Sequence, residues 1–132
     1  MLTFIDSGGL IVGWRGQAAA RIRALTILRA PGREFVSSPF VQLEVLPKPQ
    51  YFKQETEETF YQTYFAGVSL WVTDCDAIMR EALKLGRRYG LSALDALHVA
   101  AALLANAAEF ITTERPTSPL SRVKEFKVVS LA

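Results

Sequence analysis

Short apolar runs alternate with longer segments of helical pattern along the whole chain. The runs are rich in β-branched and aromatic residues, and the longer segments repeat apolar side chains at helical spacing. The pattern predicts strands at 2–5, 34–37, 70–73, 109–113 and 127–131. It predicts helices at 10–12, 17–28, 40–45, 51–66, from residue 74 or 76 to about 88, and at 93–107. Because strands that alternate with helices form parallel sheets covered on both faces, we expect a three-layer α/β fold.

The segment that follows Ser92 has the composition of a buried helix. Ser92 stands three residues before Asp95, which is the spacing of a capping box. The residues after it are almost all Ala and Leu, without Gly or Pro, and apolar residues cover nearly every face. Asp95 is thereby placed in the first turn, where the helix dipole favours a negative charge.

The segment 51–66 has the pattern of an amphipathic helix. Its acids Glu55, Glu57 and Glu58 are expected on the solvated side. Pro47 and Pro49 are expected to stop the short helix that precedes it, because proline cannot donate a hydrogen bond inside a helix.

The composition is that of an ordinary globular protein. Of 132 residues, 50% are apolar and 21% are charged, and the length suits one domain over residues 1–132. No basic segment precedes an apolar run at the N-terminus, and no apolar stretch reaches the roughly 20 residues that cross a bilayer. Together with the single cysteine, Cys75, these features favour a cytoplasmic protein without a membrane partner. The net charge of +2 permits an anionic partner but does not indicate one.

Four acids stand at the ends of predicted elements. Asp6 follows the first strand, and Glu114 follows the fourth. Asp95 begins the buried helix, and Glu44 lies among apolar neighbours on the short helix after the second strand. Because sites in parallel sheets form beyond the carboxyl ends of the strands, we expect these four carboxylates to meet at that edge.

A cluster of carboxylates needs a counter-ion, because neighbouring negative charges repel one another. Mg²⁺ and Mn²⁺ prefer oxygen ligands and keep positions open for water and a phosphate. Two such ions can activate a water and stabilise the departing oxygen of a phosphodiester. The cluster contains no histidine, so zinc is the poorer candidate. The acids therefore predict metal-assisted hydrolysis of a nucleic acid backbone.

Four segments also carry a family pattern. They are Phe4-Ile5-Asp6-Ser7, Val41-Gln42-Leu43-Glu44-Val45, the stretch from Tyr89 to Ala100 with Asp95-Ala96-Leu97-His98, and Ile111-Thr112-Thr113-Glu114. The chain resembles the PIN domain in these segments and is most similar to its VapC-like toxin ribonucleases. The resemblance covers essentially the whole chain. It implies a five-stranded parallel sheet in the order 3-2-1-4-5 and an endoribonuclease that depends on Mg²⁺ or Mn²⁺.

The resemblance also implies roles for individual residues. Asp6, Glu44 and Asp95 match the three core acids, which would bind metal and take part in catalysis. Glu114 falls where the family usually has a fourth acid, most often Asp, and would support a second ion. Thr113 matches the small hydroxylated residue before that acid. Ser7, next to Asp6, would be a supporting residue.

Two positions depart from the family pattern. The family's first strand often ends Asp-Thr-Asn or Asp-Ser-Ser, whereas Gly8 stands third here and has no polar side chain. Glu114 is one methylene longer than the usual Asp. A catalytically weak or silent member that binds RNA or a protein is therefore the alternative. A receiver-like phosphoacceptor domain using Asp74 lacks the paired acids and the lysine that it needs.

A toxin would have further partners. RNA would be the substrate, and a cognate antitoxin would occupy the groove and silence it. Such toxins typically form homodimers, and the aromatic-rich segment from Tyr51 to Phe65 is the candidate interface. Arg15 and Arg115 are candidate contacts to the nucleic acid.

Each site residue also has a plainer structural interpretation. Asp6 could only cap the first helix, and Asp95 could only complete the capping box with Ser92. Glu114 could pair with its neighbour in solvent. His98 lies one turn after Asp95, but on an alanine-rich helix we expect it to be a core residue whose hydrogen bonds are satisfied.

Overall fold

The computed structural model describes residues 1–132, and at its centre is a five-stranded sheet. The strands are β1 Leu2–Ile5, β2 Glu34–Ser37, β3 Leu70–Trp71, β4 Glu109–Thr112 and β5 Lys127–Ser130. Every pair of neighbouring strands is parallel, and the order is β3-β2-β1-β4-β5. The predicted α/β class and the order 3-2-1-4-5 are confirmed.

Seven α-helices connect the strands, because a parallel strand pair needs a long crossover. They are α1 Ser7–Arg15, α2 Ala18–Leu28, α3 Pro39–Val45, α4 Pro47–Tyr51, α5 Glu55–Ala66, α6 Cys75–Tyr89 and α7 Ala93–Leu104. The crossover from β4 to β5 contains only the 3-10 turn Pro119–Arg122. None of these helices combines the length and the apolar character needed to cross a membrane.

The central strands β1 and β4 form the middle of the core. Their side chains Phe4, Ile5, Phe110 and Ile111 are each at most 2% exposed. The rings of Phe4 and Phe110 stack with their centroids 5.2 Å apart. Helix α7 adds the buried run 99–102, as predicted for a buried helix.

The short helix after β2 ends before Pro47, as predicted, but a second helix begins at that proline. Helix α3 ends at Val45, but Leu46 keeps helical dihedral angles and Pro47 begins α4. A proline is tolerated in a first turn because its missing N–H would have no partner there. The helix predicted from residue 51 consequently begins only at Glu55.

Two polar side chains take positions that the pattern does not predict. Glu57 is buried rather than solvated, and it accepts a hydrogen bond of 2.7 Å from the Tyr61 hydroxyl. Ser92 precedes α7 but makes no side-chain cap, so the capping box with Asp95 is not formed. Asp95 remains in the first turn with its carboxylate free of that role.

A separate ion pair fixes the amino-terminal edge of the sheet. Glu109 begins β4 and accepts hydrogen bonds from Arg33 at 2.7 Å and from Thr3 at 2.9 Å. Burial alone would raise the pKa of Glu109, but these two hydrogen bonds and the positive charges of Arg33 and Lys127 together lower it. This carboxylate is therefore explained by the fold and is not a candidate for chemistry.

Candidate active site at the carboxyl edge of the sheet

Asp6 stands at the junction of β1 and α1, in the middle of the carboxyl edge. Its backbone N–H donates to the Ile111 carbonyl at 3.0 Å, which extends the pairing of β1 with β4 by one residue. Its side chain caps α1 by accepting a hydrogen bond of 2.9 Å from the Gly9 N–H. Asp6 is only 5% exposed, so the fold holds a carboxylate inside the protein.

The charge of Asp6 is destabilised by its surroundings. Burial raises its pKa to about 6, although hydrogen bonds from Thr112 and the Gly9 N–H lower it. The negative charge of Asp95 raises the pKa of Asp6 further. Asp6 and Asp95 are 89 positions apart in the chain, but in the fold they are close enough to repel each other. The sequence analysis did not predict a role for Thr112. The only indication in the sequence is a hydroxyl side chain at the end of a buried strand.

Glu44 reaches the same edge from α3 and is held by two partners. The Ser7 hydroxyl donates to Glu44 Oε1 at 2.5 Å, and His98 Nε2 hydrogen bonds to the same oxygen. Ser7 Oγ and His98 Nε2 are themselves 3.2 Å apart. The hydrogen bond from His98 is the largest cause of a lowered pKa for Glu44, and burial opposes it. Glu44 therefore keeps its negative charge through its contacts.

His98 binds Glu44 by a hydrogen bond, and the sequence interpretation missed this role. It is buried as predicted, but it is not a satisfied core residue, since its Nδ1 has no hydrogen-bond partner. Because a carboxylate only accepts hydrogen bonds, the proton that joins His98 to Glu44 is on Nε2. The signal for this role was its spacing, three residues after Asp95 on the same helix.

Ser7 and His98 thus link the three core acids. Ser7 follows Asp6 directly, His98 lies one turn from Asp95, and both bind Glu44. The positive charge of a protonated His98 also lowers the pKa of Asp6. The structure therefore brings Glu44 into contact with a near neighbour of Asp6 and a near neighbour of Asp95, at one edge of the sheet.

Glu114 and Arg115 lie to one side of this network. Both are exposed, and the Glu114 carboxylate forms neither a hydrogen bond nor a salt bridge with Arg115 or any other residue. The two residues line a separate cavity of about 280 Å³ near Ser130 at the end of β5. The structure gives Glu114 no contact with the other three acids.

Thr113 lies directly against Gly8. A Cβ atom added at Gly8 would be only 2.3 Å from Thr113 Oγ1 and 3.4 Å from Asp6 Oδ1. The Thr113 hydroxyl therefore occupies the space that a side chain at residue 8 would need. The missing polar group at Gly8 is replaced by a hydroxyl that comes from the end of β4.

The donor atoms at this edge suit a hard divalent cation, although they do not form a complete ligand set. Carboxylates and hydroxyls are the ligands that Mg²⁺ and Mn²⁺ prefer, and burial, with a smaller contribution from the charge of Asp95, raises the pKa of Asp6. No three His, Cys, Asp or Glu side chains are placed to hold one metal ion together. Glu44 Oε1 instead accepts hydrogen bonds from Ser7 and His98.

Comparisons with known proteins agree with this architecture. Among solved structures, the chain is similar to a toxin-antitoxin complex from Klebsiella pneumoniae, with a TM-score of 0.72, 19% identity and 98% of each chain covered. It is also similar to VapBC2 from Rickettsia felis bound to a DNA fragment from their promoter, with a TM-score of 0.73, 13% identity and 98% of each chain covered. No curated protein matches the chain. The sequence model of the PIN domain matches residues 3–118, and the chain therefore belongs to the PIN domain family.

Proposed function

We propose that the chain is a divalent-metal-dependent endoribonuclease that hydrolyses phosphodiester bonds in RNA. The observation that supports this most strongly is the pair of hydrogen bonds that Glu44 forms with Ser7, which follows Asp6, and with His98, which lies one turn after Asp95. A bound Mg²⁺ or Mn²⁺ would polarise the phosphate and lower the pKa of a bound water.

The residues at the edge would divide the work according to their surroundings. Asp6 and Asp95 would hold the ion, because burial and the charge of Asp95 both disfavour an ionised Asp6 when no ion is bound. Glu44 would orient the attacking water through Oε2, which has no partner, while Ser7 and His98 fix Oε1. Its lowered pKa makes Glu44 a weak general base, so we assign it an orienting role. Glu114 would support a second ion after a movement of its exposed side chain.

We further propose that the chain is the toxin of a toxin-antitoxin pair and acts on RNA in the cytoplasm. Support comes from the two similar structures, of which one is a toxin-antitoxin complex and the other is VapBC2 bound to a DNA fragment from their promoter. A cognate antitoxin would then cover the acidic edge. Homodimerisation remains a prediction; in the aromatic segment Tyr61 and Phe65 are buried in the core, whereas Tyr51 and Phe52 are exposed. Sedimentation of the purified chain tests it.

A silent binding module is the second candidate. It is favoured by the occupied Glu44 and by the exposed Glu114, which together leave no complete ligand set. Such a protein would bind RNA without cleaving it.

Substitution of Asp95 distinguishes these candidates. We expect Asp95→Asn to lower the rate of cleavage of single-stranded RNA in Mn²⁺ by at least about 100-fold. Loss of a residue that only supports a metal ligand can cost about 100-fold, and loss of a ligand itself should cost no less. In EDTA it should raise the melting temperature, because it removes a charge that repels Asp6. Mn²⁺ should stabilise the wild type but not the variant.

Asp76→Asn is the matched control, because Asp76 is an acid in the first turn of α6, as Asp95 is in that of α7, but Asp76 is exposed whereas Asp95 is half-buried. It should behave as wild type in all three measurements. If Asp95→Asn cleaves RNA and responds to Mn²⁺ like the wild type, Asp95 is not a ligand. If the wild type responds to Mn²⁺ but cleaves no RNA, the silent module is correct.

A further inference from the structure

A cavity of about 340 Å³ adjoins the candidate active site. Its wall includes Glu44, so it is continuous with the edge that carries the acids. Helices α1, α3, α4 and α5 surround it, together with the loop at residues 52–54. Its volume is within the roughly 300–1,000 Å³ of typical small-ligand sites.

Two cations in this wall have no acidic partner. Arg15 ends α1 and Lys48 lies in α4, and both are exposed. Neither forms a salt bridge with any carboxylate of the chain. Unpaired cations beside a nuclease site are placed to bind an anionic group of the substrate.

The two acids of the wall already have partners. Glu44 is bound by Ser7 and His98, and Glu57 accepts the hydrogen bond from the Tyr61 hydroxyl. The positive charge of Arg15 opposes the rise in the pKa of Tyr61, so the guanidinium lies near that hydroxyl, but it forms no salt bridge with Glu57. The cavity therefore combines satisfied acids with free cations.

An aromatic ring and a free amide complete the wall. Phe52 is 63% exposed, and its ring packs edge-on against the exposed ring of Tyr51, with the centroids 4.9 Å apart. Gln54 lines the cavity close to it and is exposed to solvent. An exposed ring suits stacking with a base, and an amide can donate to and accept from a base edge.

We propose that this cavity binds the nucleotide next to the scissile phosphodiester of single-stranded RNA. Arg15 and Lys48 hold its phosphate, Phe52 stacks on its base, and Gln54 contacts the base edge. This subsite rests on the proposed function, since it assumes that RNA is cleaved beside Glu44. It restricts the substrate to unpaired nucleotides, because a paired base could not leave its stack to reach Phe52.

Binding measured without cleavage tests the subsite. A short fluorescein-labelled single-stranded RNA of mixed sequence is titrated with the protein in EDTA over a series of salt concentrations, with anisotropy as the signal. We expect Arg15→Gln and Lys48→Gln each to weaken binding and to reduce the salt slope of log K by about 0.7, the value for one phosphate contact of a single strand. Phe52→Leu should weaken binding at least about fivefold, whereas Phe52→Tyr should keep most of the affinity.

The controls remove the same charges elsewhere. Arg80→Gln on α6 and Lys124→Gln before β5 change exposed cations outside the cavity and should leave both affinity and slope unchanged. Thermal melting of each variant checks that it is folded.

The outcomes separate this proposal from the proposed function. If the wild type binds and cleaves RNA but the cavity variants behave like their controls, the subsite is wrong and the nuclease stands. If the cavity variants lose a co-expressed antitoxin but keep their RNA affinity, the cavity is a protein interface and the subsite is again wrong. If the wild type binds no RNA, both proposals are overturned.

Discussion

Capping of α1 and burial have opposite effects on the charge of Asp6. As the N-cap of α1, it accepts a hydrogen bond from the Gly9 N–H, which favours the carboxylate. Burial disfavours the carboxylate more strongly, and the charge of Asp95 adds to this effect. An ionised Asp6 is therefore a source of instability that a bound cation would relieve.

The raised pKa of Asp6 predicts how the stability of the protein depends on pH. The pKa of Asp6 rises from 3.8 to about 6 on folding, so between these values the native state holds a proton that the unfolded state has lost. Stability therefore falls as pH rises through this window. We expect Asp6→Asn, which can still cap α1, to be more stable than wild type at about pH 7.5 by up to about 3 kcal/mol, at about 1.4 kcal/mol per pKa unit. The difference should disappear below about pH 4. Urea unfolding in EDTA measures both.

Asp74→Asn is the control for the cap itself. Asp74 caps α6 by accepting from the Ala77 N–H at 3.0 Å, but it is exposed. It should change stability little at either pH. An Asp6→Asn protein that is no more stable than wild type near neutral pH would show that burial of this carboxylate has no net cost.

At the scale of elements, the start of α1 is fitted to the end of β4. Gly8 has no side chain, and the Thr113 hydroxyl lies where its Cβ would be. Gly9 is similarly close to β1, since a Cβ there would lie 2.7 Å from Ile5 Cγ2. Small residues at the start of α1 therefore allow the helix to begin directly at the sheet edge, which places Asp6 beside Thr112.

The contact between Gly8 and Thr113 predicts the effect of restoring a family-like side chain. We expect Gly8→Ser to destabilise the protein by about 1–3 kcal/mol, because the added Cβ overlaps Thr113 Oγ1 unless that side chain moves. Adding Thr113→Ala should recover most of the loss. Denaturant unfolding of the two single variants and the double variant gives the coupling between them.

Gly86→Ser serves as the control inside a helix, because a Cβ there meets nothing closer than 3.7 Å. It should be neutral or slightly stabilising, since glycine is a poor helix former. Purely additive effects of Gly8→Ser and Thr113→Ala would contradict the steric explanation.

The elements were largely predictable from local sequence, whereas the contacts between them were not. Strand β1 and the start of helix α7 at residue 93 follow from local pattern, and the structure has both of them. Local pattern failed where tertiary packing decides the outcome. Glu57 is buried because Tyr61 offers it a donor, and Ser92 leaves its cap unmade.

The candidate site was predictable to a similar degree. Asp6 and Glu44 could be chosen from their places after buried strands, because topology alone sends them to one edge. The hydrogen bond between Glu44 and His98 joins residues 54 positions apart, and no local pattern encodes such a pair. Glu114 is the opposite case, because it follows β4 at the predicted edge but is exposed and is not part of the hydrogen bonds around Glu44.

For the whole molecule, the strand order assigns different charges to the two edges of the sheet. The amino-terminal edge carries Glu109, neutralised by Arg33 in a salt bridge of 2.7 Å. The carboxyl edge carries Asp6 and Asp95, which have no such cation, beside a cavity with the free cations Arg15 and Lys48. Uncompensated acids next to unpaired cations are the arrangement expected for a site that binds a metal ion and a phosphate chain.

The most direct test of the shared site is a crystal structure of the wild-type chain grown with Mn²⁺, with data collected where manganese scatters anomalously. We expect an anomalous peak with carboxylate oxygens of both Asp6 and Asp95 within about 2.0–2.6 Å of it. A manganese ion bound only near Glu114, or no ion between Asp6 and Asp95 at a saturating concentration, would contradict the claim that these distant acids form one metal site.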